Sequence, residues 1–253
     1  MTVLSPTIEP EAMVATRSRV DRLNAELRGA SAETIMRVAI EEEFPGRIAV
    51  ISAFAVESAV LVNLTAEIDP ATPLLFLDTG KHFPETLTHR AYLIERLGLT
   101  DARLITPFED QMAAEDPDGD LWSRDPDACC ALRKTRPLAS VLEGFDAWVT
   151  GRKRFQSETR MALKTVDMDD EGRVKFNPLA NWSRDDVDTY LKERDLPYHP
   201  LFERGYPSIG CAPCTSPVAP GEDPRAGRWR GQEKTECGIH FTVDGRIVRT
   251  GEQ

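Results

Sequence analysis

Five cysteines are the residues of this 253-residue chain whose type and spacing most directly suggest chemistry. Cys129 and Cys130 are adjacent, Cys211 and Cys214 form a CxxC motif, and Cys237 stands alone. A CxxC motif lets two thiolates converge on one ion, whereas adjacent cysteines diverge unless their turn is unusual or the centre they bind is large. Because the irons of an iron-sulfur cluster lie at separate corners, such a cluster suits the two pairs better than a single zinc ion.

The composition predicts a soluble globular protein with one sizeable core or a core with an appendage, since 41% of the residues are hydrophobic and 29% are charged. The N-terminus has neither a basic start nor an apolar stretch, and the longest mostly apolar run, residues 48–56, is too short to span a bilayer. We therefore expect a cytoplasmic protein with no membrane partner. In a reducing cytosol, an odd number of thiols favours metal binding or catalysis over a disulfide framework.

The charge distribution argues against a nucleic-acid partner and for a small anion. The formal net charge is -11, whereas binding to a phosphate backbone requires a basic surface. Two basic stretches oppose this balance: Arg152, Lys153, Arg154, Arg160 and Lys164 form the first, and Arg225, Arg228, Arg230 and Lys234 form the second. Solvated surface charge would explain either stretch alone, but the two together suggest a focused anion site.

The hydrophobic pattern predicts an α/β fold. Residues 11–28 carry a helical stripe, and Ser31 could cap a second helix that ends at Glu43. Apolar runs at 48–51 and 74–77 are each followed by a loop and a helical stretch, and shorter strand candidates lie at 103–106 and 147–150. This alternation favours a parallel sheet with helices on both faces. Residues 165–176 predict a hairpin, and Ser183 is expected to cap a helix over 184–194.

Three loops should meet at the carboxyl edge of this sheet, where ligands bind in such folds. They are residues 52–58, 78–80 and 151–160. Hydroxyls and backbone amides at a helix start can hold a phosphate, and the arginines of the third loop add charge-assisted donors. Ser52 and Thr79 could instead merely cap helices. Their coincidence at one edge favours an anion-binding site.

The sequence divides into three expected regions: N-terminal helices over 1–44, a nucleotide-binding α/β core over 45–205, and a cysteine-bearing C-terminal segment over 206–253. Proline and glycine become frequent after residue 196, which predicts a loop-rich, mobile connection between the CxxC motif and Cys237. The helices over 11–43 could mediate a homo-oligomer or pack against their own chain.

Seven segments between about residues 46 and 240 resemble the assimilatory adenylyl-sulfate (APS) reductases, within the wider family of phosphoadenylyl-sulfate (PAPS) reductases. The segments 77–80, 84–86, 129–138, 151–160, 210–215, 220–229 and 234–240 read LDTG, PET, CCALRKTRPL, GRKRFQSETR, GCAPCT, PGEDPRAGRW and KTECGIH. The resemblance implies a Rossmann-like fold of the adenine nucleotide alpha hydrolase type. The chain departs from the family at Ala55, where a glycine would permit a positive φ, and at 229–231, which lack an aromatic run.

The resemblance also implies the roles of individual residues. Cys129, Cys130, Cys211 and Cys214 would hold a [4Fe-4S] cluster with Lys134 close to it, and Cys237 would be the nucleophile. The implied contacts to the nucleotide and sulfate are Ser52, Phe54, Gly80, Arg154, Gln156, Ser157, Arg160, Arg225 and Arg228.

The implied activity is the reduction of adenylyl sulfate to sulfite and AMP, in sulfate assimilation and cysteine biosynthesis. Attack by the Cys237 thiolate would form an S-sulfocysteine, from which thioredoxin or a glutaredoxin-like reductant would release sulfite. A PAPS reductase or dual-specificity enzyme is the first alternative, and a non-catalytic iron-sulfur redox sensor is another. A zinc-bearing nucleotide enzyme would need a Ser-Gly-Gly loop, which residues 52–58 lack.

Overall fold

A six-stranded sheet forms the centre of the protein, whose computed structural model describes residues 10–236 and residue 238. The strands are β1 (Ile48–Ile51), β2 (Leu74–Leu77), β3 (Ala102–Ile105), β4 (Ala147–Thr150), β5 (Val166–Met168) and β6 (Val174–Phe176). Their order is β3-β2-β1-β4-β6-β5, and all neighbours are parallel except the antiparallel pair of β5 and β6. The predicted parallel sheet and the predicted hairpin are therefore confirmed.

Helices precede and connect these strands. They are α1 (Pro10–Glu26), α2 (Ala32–Arg37), α3 (Ser58–Ile68), α4 (Pro84–Arg96), α5 (Glu109–Glu115), α6 (Leu121–Arg124), α7 (Pro126–Cys130), α8 (Arg136–Leu142) and α9 (Arg184–Glu193). π-helical turns follow α2 at Val38–Glu43 and α7 at Ala131–Thr135. The predicted caps are present, because Ser31 Oγ accepts from Thr34 N at 3.2 Å and Ser183 Oγ accepts from Asp186 N at 3.1 Å.

The central strands are buried on both faces, which explains their continuous apolar sequences. In β1, Ile48 and Val50 belong to the main core, which also contains buried side chains of α1, α2, α3 and α9. Ala49 and Ile51 point the other way, into a smaller core that includes Leu138 of α8. Helices therefore cover both faces of the sheet, as the sequence predicts.

The N-terminal helices pack against their own chain and protect an edge strand. Asn24 Nδ2 of α1 donates to Val166 O at 2.7 Å, and Val166 N donates to Asn24 Oδ1 at 3.1 Å. Leu23 and Met36 are fully buried in the main core. The Asn24 amide therefore pairs the outward-facing backbone N–H and C=O of Val166 on the edge strand β5, which would otherwise be open to other strands. The expected domain boundaries and oligomer formation stay predictions.

The strand order creates a crevice at one edge of the sheet. From β1 the chain proceeds outward to β2 and β3, and it then returns to the opposite side of β1 to form β4. The connections that leave β1 and β4 diverge, which opens a space beyond the carboxyl ends of the two strands. No helix within residues 10–236 and 238 has the length and apolar character needed to cross a membrane.

The described part of the C-terminal segment is loop-rich, as predicted, and it is fastened to the protein by hydrogen bonds. Ser216 N donates to Gly227 O at 2.8 Å, which closes a long loop, and Trp229 N donates to Cys214 O at 3.0 Å. Val218 N donates to Gly205 O at 2.9 Å. The segment therefore folds back on the CxxC motif, and its mobility stays a prediction.

A buried histidine pair should make the fold sensitive to mild acid. His89 of α4 and His199 are 3% and 1% exposed, their rings pack edge to face, and burial lowers the pKa of each to about 4. Below pH 6.5 these histidines bind protons in the unfolded chain but stay neutral in the folded protein. The free energy of unfolding therefore decreases as the pH is lowered. Between pH 7 and pH 5 we expect the free energy of unfolding to fall by about 2 kcal/mol for each histidine.

Urea unfolding of the wild type and of His89→Leu at both pH values measures this effect. The variant should lose part of the pH dependence, because one titrating group is gone while His199 and His82, whose pKa values burial also lowers, remain. An identical pH dependence in the two proteins would contradict the assignment. The chosen interval lies above the ordinary carboxyl pKa values, so aspartates and glutamates contribute little to the difference.

Candidate active site

The loop that follows β2 holds the CxxC motif. Ala212 N donates to Lys81 O at 2.7 Å, and His82 and Cys211 form an isolated antiparallel bridge. The Thr79 hydroxyl lies 3.3 Å from Cys211 Sγ. Gly80 has a φ of +67°, a conformation in which the missing Cβ avoids strain, and its N–H donates to Asp78 Oδ1. The turn at Asp78–Gly80 thus presents backbone and side-chain groups to the first cysteine of the motif.

The same loop also holds the helix that carries the adjacent cysteines. α7 begins at Pro126, where Asp125 Oδ1 accepts from two backbone amides, and it ends at Cys130. One turn later, Arg133 Nη1 donates to Thr79 O at 2.8 Å, and its Nη2 pairs with the buried Asp116 carboxylate. The Arg133 side chain therefore fixes α7 against the loop that contacts Cys211.

The four predicted ligand cysteines line one small pocket. Cys129, Cys130 and Cys211 are buried, Cys214 is half-buried, and the four form no disulfide. Lys134 and Arg228 also line the pocket. Within residues 10–236 and 238, no three His, Cys, Asp or Glu side chains are arranged to hold a single metal ion.

The thiols of this pocket differ in their electrostatic surroundings. Burial raises the pKa of Cys129 and of Cys214. Burial also opposes ionisation of Cys211, but Lys134 and the Thr79 hydroxyl outweigh it and the pKa of this thiol is lowered. Lys134 thus favours the anionic form of a CxxC cysteine, and its predicted role beside a cluster stays a prediction.

A cavity of about 250 Å³ lies beyond the carboxyl ends of β1 and β4. Its cationic lining residues are Lys134, Arg152, Lys153, Arg160, Arg184, Arg225 and Arg228, and its acidic ones are Glu57 and Asp223. This excess of positive charge contrasts with the net charge of -11 for the whole chain. Such a cavity attracts anions, because apolar walls focus the field of the cationic side chains.

A hydrogen-bonded chain stiffens one wall of the cavity. Lys153, which is 2% exposed, pairs with Glu57 at 2.8 Å, and the Glu57 carboxylate also accepts from Gln156 Nε2 at 3.1 Å. Burial lowers the pKa of Lys153, although Glu57 opposes this shift. Arg160 Nη1 donates to Gln156 Oε1 at 2.5 Å. The loop after β1 and the loop after β4 are thereby joined beside the cavity.

The structure places the predicted substrate contacts in two groups. Ser52, Gln156, Arg160, Arg225 and Arg228 line the cavity. Phe54, Gly80, Arg154 and Ser157 do not belong to its described lining. The Phe54 ring is buried against Phe76, and the Arg154 guanidinium binds Leu163 O and Asn181 Oδ1. Cys237, the predicted nucleophile, lies outside the described residues.

The first loop differs from two expectations. Ser52 Oγ accepts from Phe54 N at 3.2 Å and does not cap α3, and Thr79 does not cap α4. A glycine at position 55 would permit a positive φ there, but Ala55 is not among the described residues with positive φ. The residue with a positive φ in this loop is Phe54, at +46°. The burial of the Phe54 ring offsets the cost of this conformation.

Sequence reasoning did not assign Glu57, Arg184 or Glu236 to the site. The residue type does not suggest that Glu57 belongs to the site, because a glutamate is not expected where anions bind. Its ion pair with the buried Lys153 explains its position. Arg184 was predicted only as the start of a helix, and its guanidinium packs on Phe155 at the cavity. Glu236 binds Arg160, which is a contact between distant segments that no local pattern encodes.

Comparisons with known proteins agree with this architecture. A family model described as the phosphoadenosine phosphosulfate reductase domain matches residues 47–217. The chain belongs to the phosphoadenosine phosphosulfate reductase family. Within this family, the adenosine 5'-phosphosulfate reductase of Mesorhizobium japonicum is 49% identical over 82% of this chain and 82% of its own length. The phosphoadenosine 5'-phosphosulfate reductase of Gloeobacter violaceus is 41% identical over 90% and 96%, respectively.

Solved structures support the same conclusion about the fold. A crystal structure of the phosphoadenylyl-sulfate reductase of Candida auris in a phosphate complex has a TM-score of 0.66 and 27% identity, and it covers 85% of this chain and 100% of its own. The FMN adenylyltransferase of Candida glabrata has a TM-score of 0.54 at 15% identity, over 85% of this chain and 70% of its own. The latter shows that the sheet architecture extends beyond the phosphoadenosine phosphosulfate reductase family.

Asp116→Asn tests whether the buried ion pair holds the adjacent cysteines in place. The substitution leaves the 6% exposed Arg133 without its counter-charge, so we expect the free energy of unfolding to fall by about 3 kcal/mol. Asp120→Asn is the matched control, because it removes an exposed carboxylate that pairs with Arg124 and should cost less than about 1 kcal/mol. Urea unfolding measures both changes. Equal losses in the two variants would contradict the role of the buried pair.

Proposed function

We propose that the protein reduces adenylyl sulfate to sulfite and AMP. The observation that carries this proposal is that Lys134 and Arg228 line both the cationic cavity and the pocket of four thiols. An anion bound in the cavity would therefore lie beside the sulfur ligands. Family membership and relatives named adenosine 5'-phosphosulfate reductase, among them the one from Mesorhizobium japonicum, support adenylyl sulfate as the substrate.

In the proposed reaction, the Cys237 thiolate attacks the sulfur of adenylyl sulfate, and the bond between that sulfur and the bridging phosphate oxygen breaks. AMP leaves and an S-sulfocysteine forms. A thioredoxin thiolate then attacks the Cys237 sulfur, which expels sulfite and forms a mixed disulfide. The second thioredoxin thiol resolves that disulfide and restores the Cys237 thiol. Thioredoxin thus supplies both electrons that reduce the sulfur.

The cavity residues would bind the anionic substrate and leaving group. Both the sulfate and the phosphate of adenylyl sulfate carry negative oxygens, which charge-assisted donors stabilise. Arg228 is suited to this, because its buried Nε has no hydrogen-bond partner among residues 10–236 and 238. Arg160 and Arg225 line the same cavity. We assign these three guanidinium groups to the substrate oxygens.

The four-thiol pocket fits a [4Fe-4S] cluster by the chemistry of its donors. Cys129, Cys130, Cys211 and Cys214 offer four sulfur ligands, and Lys134 supplies positive charge beside them. A bound cluster would contribute structural and electrostatic support beside the anion site, since the electrons come from thioredoxin. Lys134 would then face the sulfur ligands on one side and the substrate on the other.

We place this activity in the cytoplasm, in sulfate assimilation and cysteine biosynthesis. The four described cysteines form no disulfide, which is consistent with a reducing compartment. Thioredoxin, or a glutaredoxin-like protein, is the dithiol that the proposed chemistry requires.

A second candidate is the reduction of the 3'-phosphorylated nucleotide. The relative from Gloeobacter violaceus is named a phosphoadenosine 5'-phosphosulfate reductase and is 41% identical. The cationic lining could accept the additional phosphate. We favour adenylyl sulfate, because the relative from Mesorhizobium japonicum, at 49% identity, is named an adenosine 5'-phosphosulfate reductase, whereas the Gloeobacter relative is 41% identical.

Sulfite release from each nucleotide tests the activity and its nucleophile. With reduced thioredoxin, we expect kcat/KM for adenylyl sulfate to exceed that for its 3'-phosphate by at least about tenfold. Cys237→Ser should abolish sulfite release from both, because a hydroxyl cannot form the thiosulfonate adduct.

Two controls accompany this measurement. Omission of thioredoxin should limit the wild type to one stoichiometric burst of AMP. Sulfite release by Cys237→Ser would contradict the assigned nucleophile, and a preference for the 3'-phosphate would establish the second candidate. A protein that acts on neither nucleotide would be better explained as an iron-sulfur redox sensor.

Metal analysis after purification without oxygen tests the cluster. We expect about four irons and four sulfides per chain. Cys130→Ser should lose most of the iron because one ligand is missing, and Cys237→Ser should retain it. A colourless protein that contains zinc would contradict the iron-sulfur assignment.

A further inference from the structure

The carboxylate of Glu236 occupies donors of the cationic cavity. Its Oε1 accepts from Arg160 Nε at 2.8 Å and its Oε2 accepts from Arg160 Nη2 at 2.8 Å, a fork-like bidentate pair. Arg225 Nη2 lies 3.6 Å from the same carboxylate. Burial opposes ionisation of Glu236, but Arg160 and Arg225 outweigh it and lower its pKa. An oxyanion that belongs to the protein thus already lies on two cavity arginines.

The residues on either side of this contact bind the tail to the site. Arg225 Nη2 donates to Thr235 O at 2.7 Å. Lys234, whose side chain is 7% exposed, pairs with Asp127 of α7. Residues 234–236 therefore extend from the helix that carries Cys129 and Cys130 to the loop that carries Arg160.

We propose that Glu236 is an internal substitute for a substrate oxyanion: its carboxylate occupies Arg160 and Arg225 in the free protein, and the sulfate or phosphate of the nucleotide displaces it. The inference rests on the proposed function, because it requires a nucleotide oxyanion as the competitor. Glu236 is a positioning residue in this scheme.

The competition follows from the geometry of Arg160. Its Nε and Nη2 bind Glu236, and its Nη1 binds Gln156 Oε1. A tetrahedral oxyanion that approaches the Nε and Nη2 edge needs the same two donors in the same plane. The oxyanion and the carboxylate would also repel each other at this distance. Only one of them can therefore occupy the edge.

The displacement would couple substrate binding to the tail. Glu236 directly precedes Cys237 in the sequence. When the oxyanion takes Arg160, the carboxylate that fastens this part of the tail is released. Glu236, which is next to the proposed nucleophile, would thus be released from Arg160 only when the nucleotide is bound.

Nucleotide affinity tests the competition. In the full chain carrying Cys237→Ser, which prevents turnover, the dissociation constants of adenylyl sulfate, AMP and adenosine are measured by calorimetry with and without Glu236→Gln. Glu236→Gln should lower the dissociation constant of at least one anionic ligand by at least about fivefold and leave that of adenosine unchanged. A lower dissociation constant for AMP would identify the phosphate as the group that competes with Glu236. A lower dissociation constant for adenylyl sulfate alone would identify the sulfate.

Glu233→Gln is the matched control, because it removes the same charge from an exposed tail position. It should leave all three constants unchanged. If the anions bind but Glu236→Gln does not tighten either of them, or Glu233→Gln tightens them equally, the competition is refuted and the proposed function stands. If none of the ligands binds the Cys237→Ser parent, the proposed function and the inference both fail.

Hydrogen exchange gives a measurement that needs no variant at position 236. With saturating AMP and with saturating adenylyl sulfate, the Cys237→Ser chain should exchange faster over 232–236 for whichever anion displaces the carboxylate. Adenosine should have no effect. Slower exchange with both anions would mean that the tail closes over an occupied site, which would overturn the displacement.

Discussion

The contacts of one loop, residues 78–81, determine how the two cysteine pairs meet. The pairs are far apart in sequence, and neither belongs to the sheet. Thr79 accepts from Arg133 through its backbone and touches Cys211 through its hydroxyl, while Lys81 pairs with the backbone of the CxxC motif. Because this loop leaves the carboxyl end of β2, it also fixes the distance between the thiols and the crevice next to β1. The four-thiol pocket is therefore positioned by the sheet without containing any strand residue.

The second organising constraint is the concentration of cations at this edge of an acidic protein. Burying several cationic side chains together is unfavourable, because each loses hydration and repels its neighbours. The protein relieves this by local pairing: Glu57 compensates Lys153, Asp116 compensates Arg133, and Glu236 compensates Arg160. The first two carboxylates are parts of the folded body. The third is on the tail, which makes it the one of these three partners that an incoming anion can replace without disturbing the sheet.

The sequence was sufficient to predict the features that depend on local periodicity and motifs. The alternation of apolar runs and helical stretches predicts β1, β2 and β4, and the pattern over residues 165–176 predicts the hairpin of β5 and β6. The grouping of the four cysteines and the basic stretch that contains Arg160 are visible in the sequence, because residue type and spacing indicate chemistry. Glu57 and Glu236 were missed, since their roles arise from contacts between distant loops. Phe54 was expected to contact the substrate, but its ring is buried against Phe76. A position in a motif does not reveal whether its side chain faces a cavity or the core.

The residue before the CxxC motif connects the two halves of the site at the level of single atoms. A Cβ at Gly210 would lie 2.3 Å from Arg228 Nη2, so any larger residue would push the guanidinium away. Arg228 Nη1 donates to Ile209 O at 3.2 Å, and its guanidinium packs on the Trp229 ring. These contacts hold the arginine between the thiols and the cavity. The absence of a side chain at position 210 is thus what allows the Arg228 guanidinium to line both the four-thiol pocket and the cationic cavity.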